Sequence, residues 1–120
     1  MDMCVRPRHV LVVEDEALVR DLIVDVLTED GFEVHAVASA RDALSHLAAH
    51  WPVDVLFTDV ELPDDIDGAR LAVLARKLSP DLAVVYTSAG ACSIDKVPGS
   101  LFVAKPYEPA QICALLTWVT

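Results

Sequence analysis

Five short aliphatic runs, separated by stretches of helical spacing, limit what this chain can fold into. The first, His9-Val10-Leu11-Val12-Val13, is apolar at every position after the histidine, as in a strand covered on both faces. Over 18–29 the period changes. Val19, Leu22, Ile23, Val26 and Leu27 recur at helical spacing, and Gly31 suits the left-handed position after a helix. Phe32-Glu33-Val34-His35-Ala36-Val37 restores strand character. Ser39 can cap the next helix, with Asp42 at its third position and Ala43, Leu44, Leu47 and Ala48 as its apolar stripe, before Pro52 closes the unit.

The third run is Val53-Asp54-Val55-Leu56-Phe57-Thr58, followed by a helix over about 69–78 with Leu71, Leu74, Ala75 and Leu78 turned inward. Ser79-Pro80-Asp81 breaks that helix, and Leu82-Ala83-Val84-Val85-Tyr86-Thr87 is the fourth run. Leu101-Phe102-Val103-Ala104 is the fifth. Glu108-Pro109 then opens a last helix with Ile112, Leu115, Leu116 and Val119 buried. Strands alternating with helices argue a doubly wound α/β fold with a five-stranded parallel sheet and right-handed crossovers. At 120 residues the chain reads as a single domain, 1–120.

The 54% apolar composition excludes a disordered tail, and no apolar run approaches the length of a membrane span. Nine Lys and Arg against 19 Asp and Glu give a net charge of -10, which repels nucleic acid and anionic membranes alike. The expectation is no direct nucleic acid binding and no membrane association. Met1-Asp2-Met3-Cys4-Val5-Arg6-Pro7 lacks a signal-peptide core, so the chain reads as cytoplasmic. Cys4, Cys92 and Cys113 are widely spaced without a CxxC, and read as free thiols.

Charged residues stand just after the apolar runs: Glu14-Asp15 after the first, Asp59 after the third, Lys105 after the fifth. In a doubly wound sheet ligands bind beyond the carboxyl ends of the strands, so these residues should converge into a pocket of carboxylates facing one ammonium. An isolated Glu14-Asp15-Glu16 could simply favour the positive start of a helix, but that explains neither Asp59 nor Lys105.

Val12-Val13-Glu14-Asp15-Glu16, Thr58-Asp59-Val60-Glu61-Leu62-Pro63, Thr87-Ser88-Ala89 and Lys105-Pro106-Tyr107, in this order after successive strands, resemble the receiver domain of two-component response regulators. The resemblance covers essentially the whole chain. It implies a (βα)5 flavodoxin-like sheet of order 2-1-3-4-5 and a phosphoacceptor signalling domain in a phosphorelay. Asp59 matches the aspartate that takes a phosphoryl group from a histidine kinase or histidine phosphotransfer protein. Glu14 and Asp15 match the acids that hold Mg²⁺ together with Asp59 and the backbone carbonyl of Glu61. Ser88 matches the hydroxyl that binds phosphoryl oxygens, Lys105 their counter-charge, and Phe102 the aromatic switch partner of Ser88. The resemblance implies self-phosphorylation and dephosphorylation rather than turnover of an external substrate, and an effector whose identity stays open.

The residue types suit that chemistry. Clustered carboxylates raise one another's pKa unless a cation offsets them, and three carboxylates, one lysine and Mg²⁺ sum to zero. All-oxygen ligands favour Mg²⁺ over zinc. Asp59 can then attack phosphorus in line while the metal and Lys105 stabilise the charge.

The chain also departs from the family. Asp64-Asp65-Ile66-Asp67-Gly68 is one residue longer than the usual link; it faintly resembles a calcium loop but lacks the ligand spacing, and reads as a solvated loop. Glu61 places an extra acid at the rim, where altered access of water to the phosphoryl group is expected. Between Ser88 and the fifth strand only the 12 residues 89–100 remain, with Gly90 and Pro98-Gly99 among them. The fourth helix should therefore be short or irregular, the segment 91–98 mobile, and the protein mainly monomeric before phosphorylation. His9, His35, His46 and His50 are scattered and read as structural or surface.

Two other classes compete. A receiver-fold interaction module controlled by binding alone is compatible with the shortened fourth helix but leaves the intact acid set without a role. An aspartate-based phosphatase needs a DxD pair after its first strand, where this chain has Glu14-Asp15. A stand-alone protein and a part of a longer regulator both stay open.

Overall fold

The apolar runs lie side by side in one parallel sheet. The structure, a computed structural model, describes residues 8–90 and 94–119. Its elements are β1 (His9–Val13), α1 (Ala17–Glu29), β2 (Glu33–Val37), α2 (Ala40–Ala48), β3 (Val55–Asp59), α3 (Gly68–Leu78), β4 (Ala83–Ser88), β5 (Leu101–Ala104) and α4 (Pro109–Val119). The strand order is β2-β1-β3-β4-β5, the expected doubly wound order.

Alternation along the strands divides the core in two. Leu11, Val13, Leu56, Val84 and Tyr86 face the layer that holds Ala40, Ala43 and Leu47 of α2 with Leu71, Ala72 and Ala75 of α3. Val10, Val12, Val55, Phe57, Val85 and Val103 face Ile23 and Leu27 of α1 with Ile112 and Leu116 of α4. Both faces are covered, so the strands carry apolar residues at consecutive positions. Local signals hold as expected: Ser39 caps α2 by accepting from the Asp42 N–H, and Gly31 has φ +95° after α1.

Three inward assignments need correction. Leu22 is 51% exposed, Leu78 is 54% exposed and Ala48 is exposed. Ala48 and Leu78 end their helices, where a side chain meets only the turn behind it, so periodicity overstates burial. In α1 the stripe against the sheet is narrower than the apolar pattern, resting on Ile23 and Leu27. Leu22 and the 85% exposed Leu18 remain outside it.

The acids of 64–67 have local structural partners. Asp67 caps α3 by accepting from the Arg70 N–H at 2.8 Å, and Asp65 pairs with Arg41 at 2.8 Å. Gly68 is required by a close approach: a Cβ there would collide with the backbone carbonyl of Asp59.

Between β4 and β5 the described residues 94–100 form no helix, in keeping with the short connection. Residues 91–93 lie outside the described residues, so the expectation of mobility over 91–98 meets structure only from 94 onward. There the chain is anchored. Val97 is buried, its N–H donates to the fully buried Tyr86 Oη at 3.1 Å, and Ser100 Oγ donates to the Val97 carbonyl at 2.7 Å. Half-buried Ile94 and Phe102 pack on the same cluster. A side chain and an irregular segment thus cover sheet that a helix would otherwise cover.

Cys113 is a free, half-buried thiol; Cys4, Cys92 and the N-terminal stretch 1–7 lie outside the described residues. Among those described, no helix is long and apolar enough to cross a membrane.

The Tyr86 hydroxyl gives a direct test of this anchor. Tyr86→Phe leaves the buried Val97 N–H without its acceptor, so urea unfolding should show a loss of about 1–2 kcal/mol. Hydrogen exchange at Val97 should accelerate by more than exchange in β1.

Candidate functional site

Each element delivers its site residue by continuing the ladder one step past an apolar run. The Glu14 N–H donates to the Val37 carbonyl at 3.1 Å, the Val60 N–H to Thr87 at 2.9 Å, and the Lys105 N–H to Ser88 at 2.9 Å. The strands β1, β3, β4 and β5 therefore end together, and their last side chains share one edge.

At that edge Lys105 Nζ lies 3.0 Å from Glu14 Oε1 and 2.8 Å from Asp59 Oδ2. Glu14 and Asp59 are only 2% and 5% exposed, whereas Asp15 is exposed at the mouth. One carboxylate oxygen from each of Glu14, Asp15 and Asp59 falls within 4.8 Å of the others. The sequence expectation that these residues converge is met in space.

Backbone groups hold the carboxylates in place. The Glu16 N–H donates to Glu14 Oε2 at 3.1 Å, and the Glu61 N–H to Asp59 Oδ1 at 3.3 Å. Arg20 Nη1 donates to the Glu14 carbonyl at 2.8 Å, bracing the turn from β1 into α1. Ser88, 1% exposed, directs its hydroxyl to the Glu61 carboxylate at 3.0 and 2.9 Å. Phe102 lies on β5 beside Tyr86 of β4, half-buried, with Lys96 Nζ 5.7 Å from its ring centre.

The electrostatics follow from this burial. Burial pushes the Glu14 carboxyl above its usual range, with the Glu16 N–H and Lys105 only partly opposing it. For Lys105 burial favours the neutral amine, but hydrogen bonds to Asp59 and Glu14 more than offset it and the net shift is upward. Burial also pushes the Tyr107 phenol up to about 12. The ammonium is thus fixed as a cation. Three carboxylates and one ammonium leave a formal charge of -2, and this all-oxygen donor set fits a hard divalent cation.

Two features were hidden in the sequence. By sequence the Glu61 side chain is only an extra acid at the rim, and nothing in the spacing points to its bond with Ser88. An apolar groove of about 420 Å³ runs beside the pocket between α1 and α4, its walls including Val19, Leu22, Ile23, Tyr107, Pro109 and Ile112, with Glu16 and Lys105 at the pocket end. Its sequence signal was the surplus of apolar residues in α1.

A family model for the response regulator receiver domain matches residues 10–117. The chain belongs to that family. The transcriptional regulatory protein CreB of Escherichia coli is 34% identical over 110 residues, covering 88% of this chain and 47% of CreB. The phosphate regulon transcriptional regulatory protein PhoB of Klebsiella pneumoniae is 30% identical, covering 89% of this chain and 49% of PhoB. The receiver domain thus spans about half the length of these two relatives. A crystal structure of a response regulator receiver protein from Sinorhizobium medicae superposes with a TM-score of 0.89 at 30% identity, covering 95% of this chain and 94% of that one.

Lys105→Met would leave Glu14 and Asp59 facing each other without their shared cation. Stability at pH 7 should fall by about 2–3 kcal/mol, as when one partner of a buried pair is removed. With the ammonium gone, the Glu14 carboxyl, already pushed up by burial, binds a proton more readily folded than unfolded, so the deficit should shrink as pH falls towards 4. Thermal melts of both proteins across pH 4–8 without divalent cations check this, and a constant deficit would count against the electrostatic origin.

Proposed function

We propose that this receiver domain is the phosphoacceptor of a two-component phosphorelay, with Asp59 as the nucleophile. The observation that carries the reading is the Asp59 carboxylate, 5% exposed, with Oδ2 on Lys105 and Oδ1 on the Glu61 N–H. Both contacts fix the carboxylate's orientation, so little ordering remains to be done when a phosphoryl donor arrives.

In the transfer, an Asp59 oxygen forms a bond to phosphorus as the phosphorus–nitrogen bond of a phosphohistidine breaks, and the nitrogen keeps the bonding pair. Glu14, Asp15 and Asp59 would hold Mg²⁺, with the Glu61 carbonyl as a further ligand. Bound there, Mg²⁺ would offset the carboxylate charge and withdraw electron density from the phosphoryl oxygens. Lys105, already protonated, moves its hydrogen bond from Asp59 to a phosphoryl oxygen without a proton transfer. Ser88 would bind another phosphoryl oxygen, and Phe102 would answer the displacement of Ser88, shifting the balance between two surfaces.

The donor would be a histidine kinase or histidine phosphotransfer protein. Its phosphohistidine must reach a recessed aspartate, so its carrier must rest on the surrounding surface, where Leu18, Leu22 and the groove supply apolar area. We read the chain as a single cytoplasmic domain, mainly monomeric before phosphorylation, acting on no external substrate. The -10 charge argues against direct nucleic acid contact by this domain, so its output would pass through an effector protein or domain.

Acetyl phosphate should label the protein only with Mg²⁺ present, and Asp59→Asn should abolish the label. Labelling that survives in Asp59→Asn, or none in the parent, would remove the reading and leave the binding-controlled module. Replacing Leu18 and Leu22 together by Glu should slow transfer from a cognate phosphotransfer protein about tenfold, as for loss of an apolar contact patch. Labelling by acetyl phosphate should be unchanged in that variant.

A further inference from the structure

The Ser88 hydroxyl is already in use. It has one proton, and that proton is directed at the Glu61 carboxylate, with oxygens at 3.0 and 2.9 Å. The Gly90 N–H donates to Ser88 Oγ at 3.3 Å, filling a lone pair and fixing the rotor from the other side. Ser88 is 1% exposed, so no bulk water competes for the bond, whereas Glu61 is exposed, with solvent on the side away from Ser88. No basic side chain pairs with Glu61 among the described residues.

We propose that Glu61 is a positioning residue that latches Ser88 in the unphosphorylated state, so that a phosphoryl group must displace one carboxylate to gain the serine hydroxyl. The proposal rests on the phosphoacceptor reading and adds a regulatory contact to it. A phosphoryl oxygen and the Glu61 carboxylate are both anionic acceptors, and a single donor proton cannot serve both fully. The latch therefore opposes entry of the phosphoryl group and recloses when it leaves. Because Glu61 is solvent-exposed, releasing it is cheap, and the latch biases the equilibrium without blocking it.

The geometry also identifies what the latch responds to. The Glu61 N–H donates to Asp59 Oδ1, so the same residue contacts the acceptor through its backbone and the hydroxyl through its side chain. A change of charge at Asp59 acts on the residue that restrains Ser88.

Beryllofluoride with Mg²⁺, a stand-in for the phosphoryl group, provides the probe. Its affinity is measured for the parent, Glu61→Ala, Glu61→Gln, Ser88→Ala and the Glu61→Ala/Ser88→Ala pair. Glu61→Ala should bind about fivefold more tightly than the parent, and in the Ser88→Ala background the same change should gain less than about twofold. Glu61→Gln, which keeps an acceptor but loses the charge, should fall between. An independent readout uses the metal-free protein: the backbone amide resonances of Ser88 and Gly90 should shift on Glu61→Ala, and by less on Glu61→Gln. An equal gain in both backgrounds would mean that Glu61 acts only as a charge, and equal affinities throughout would remove the latch. A parent that binds no beryllofluoride while Ser88 and Gly90 still respond to Glu61→Ala would overturn the phosphoacceptor reading, leaving only a structural contact.

Discussion

One ammonium ties the sheet's functional edge together. Lys105 reaches Glu14 and Asp59 at 3.0 and 2.8 Å, joining the ends of β5, β1 and β3 across 91 and 46 residues of sequence. Its location follows from the architecture. Because helices cover both faces of the sheet, its interior can hold only apolar side chains, and polar groups collect where the strands stop. Among the described residues every buried polar or charged side chain, Glu14, Thr58, Asp59, Thr87 and Ser88, sits at the carboxyl end of β1, β3 or β4. Two buried carboxylates in that position need a cation, and the lysine is the one the chain supplies.

The same edge connects to the unusual part of the fold. Ser88 lies two residues beyond Tyr86 on β4, so both side chains point towards the layer of α2 and α3. Tyr86 holds Val97 through its hydroxyl and pairs in register with Phe102. A contiguous line therefore runs from the site along β4 into the segment that stands between β4 and β5. In this chain the line ends on an irregular stretch and a half-buried aromatic ring. Among the described residues, an effector reading this side would meet Pro98 and the Lys96 ammonium over Phe102 in place of a helix face.

The strands were legible because burial on both faces leaves runs of Val, Leu and Ile that few other structures tolerate. The helices were legible from their period and from Ser39 and Gly31. The convergence of Glu14, Asp15, Asp59 and Lys105 followed from placing each after a strand, since parallel strands bring their ends to one edge. Contacts that depend on side-chain direction across long separations were not legible. Ser88 and Glu61 are 27 residues apart, and their bond depends on the path of the chain after β3. The stack of His35 on His46, with ring centres 4.0 Å apart, arises from packing between β2 and α2 that no local spacing encodes. Leu22 and Leu78 kept the helical period but lay beyond the reach of the sheet, because a period specifies a face and not how far the core extends.

The apolar groove and the charged pocket share a wall, and the sharing has a physical consequence. Lys105 and Glu16 line the groove while the Lys105 ammonium contacts the pocket, and Tyr107 places its ring against Phe57 in the core. The lysine stem is therefore packed along an apolar surface while its head is held by two carboxylates. A partner helix or loop seated on Leu22, Pro109 and Ile112 would exclude water from that side of the stem and lower the local dielectric, strengthening every interaction of the ammonium. Docking and chemistry would thereby be coupled through one side chain, a coupling that would need no movement of the backbone.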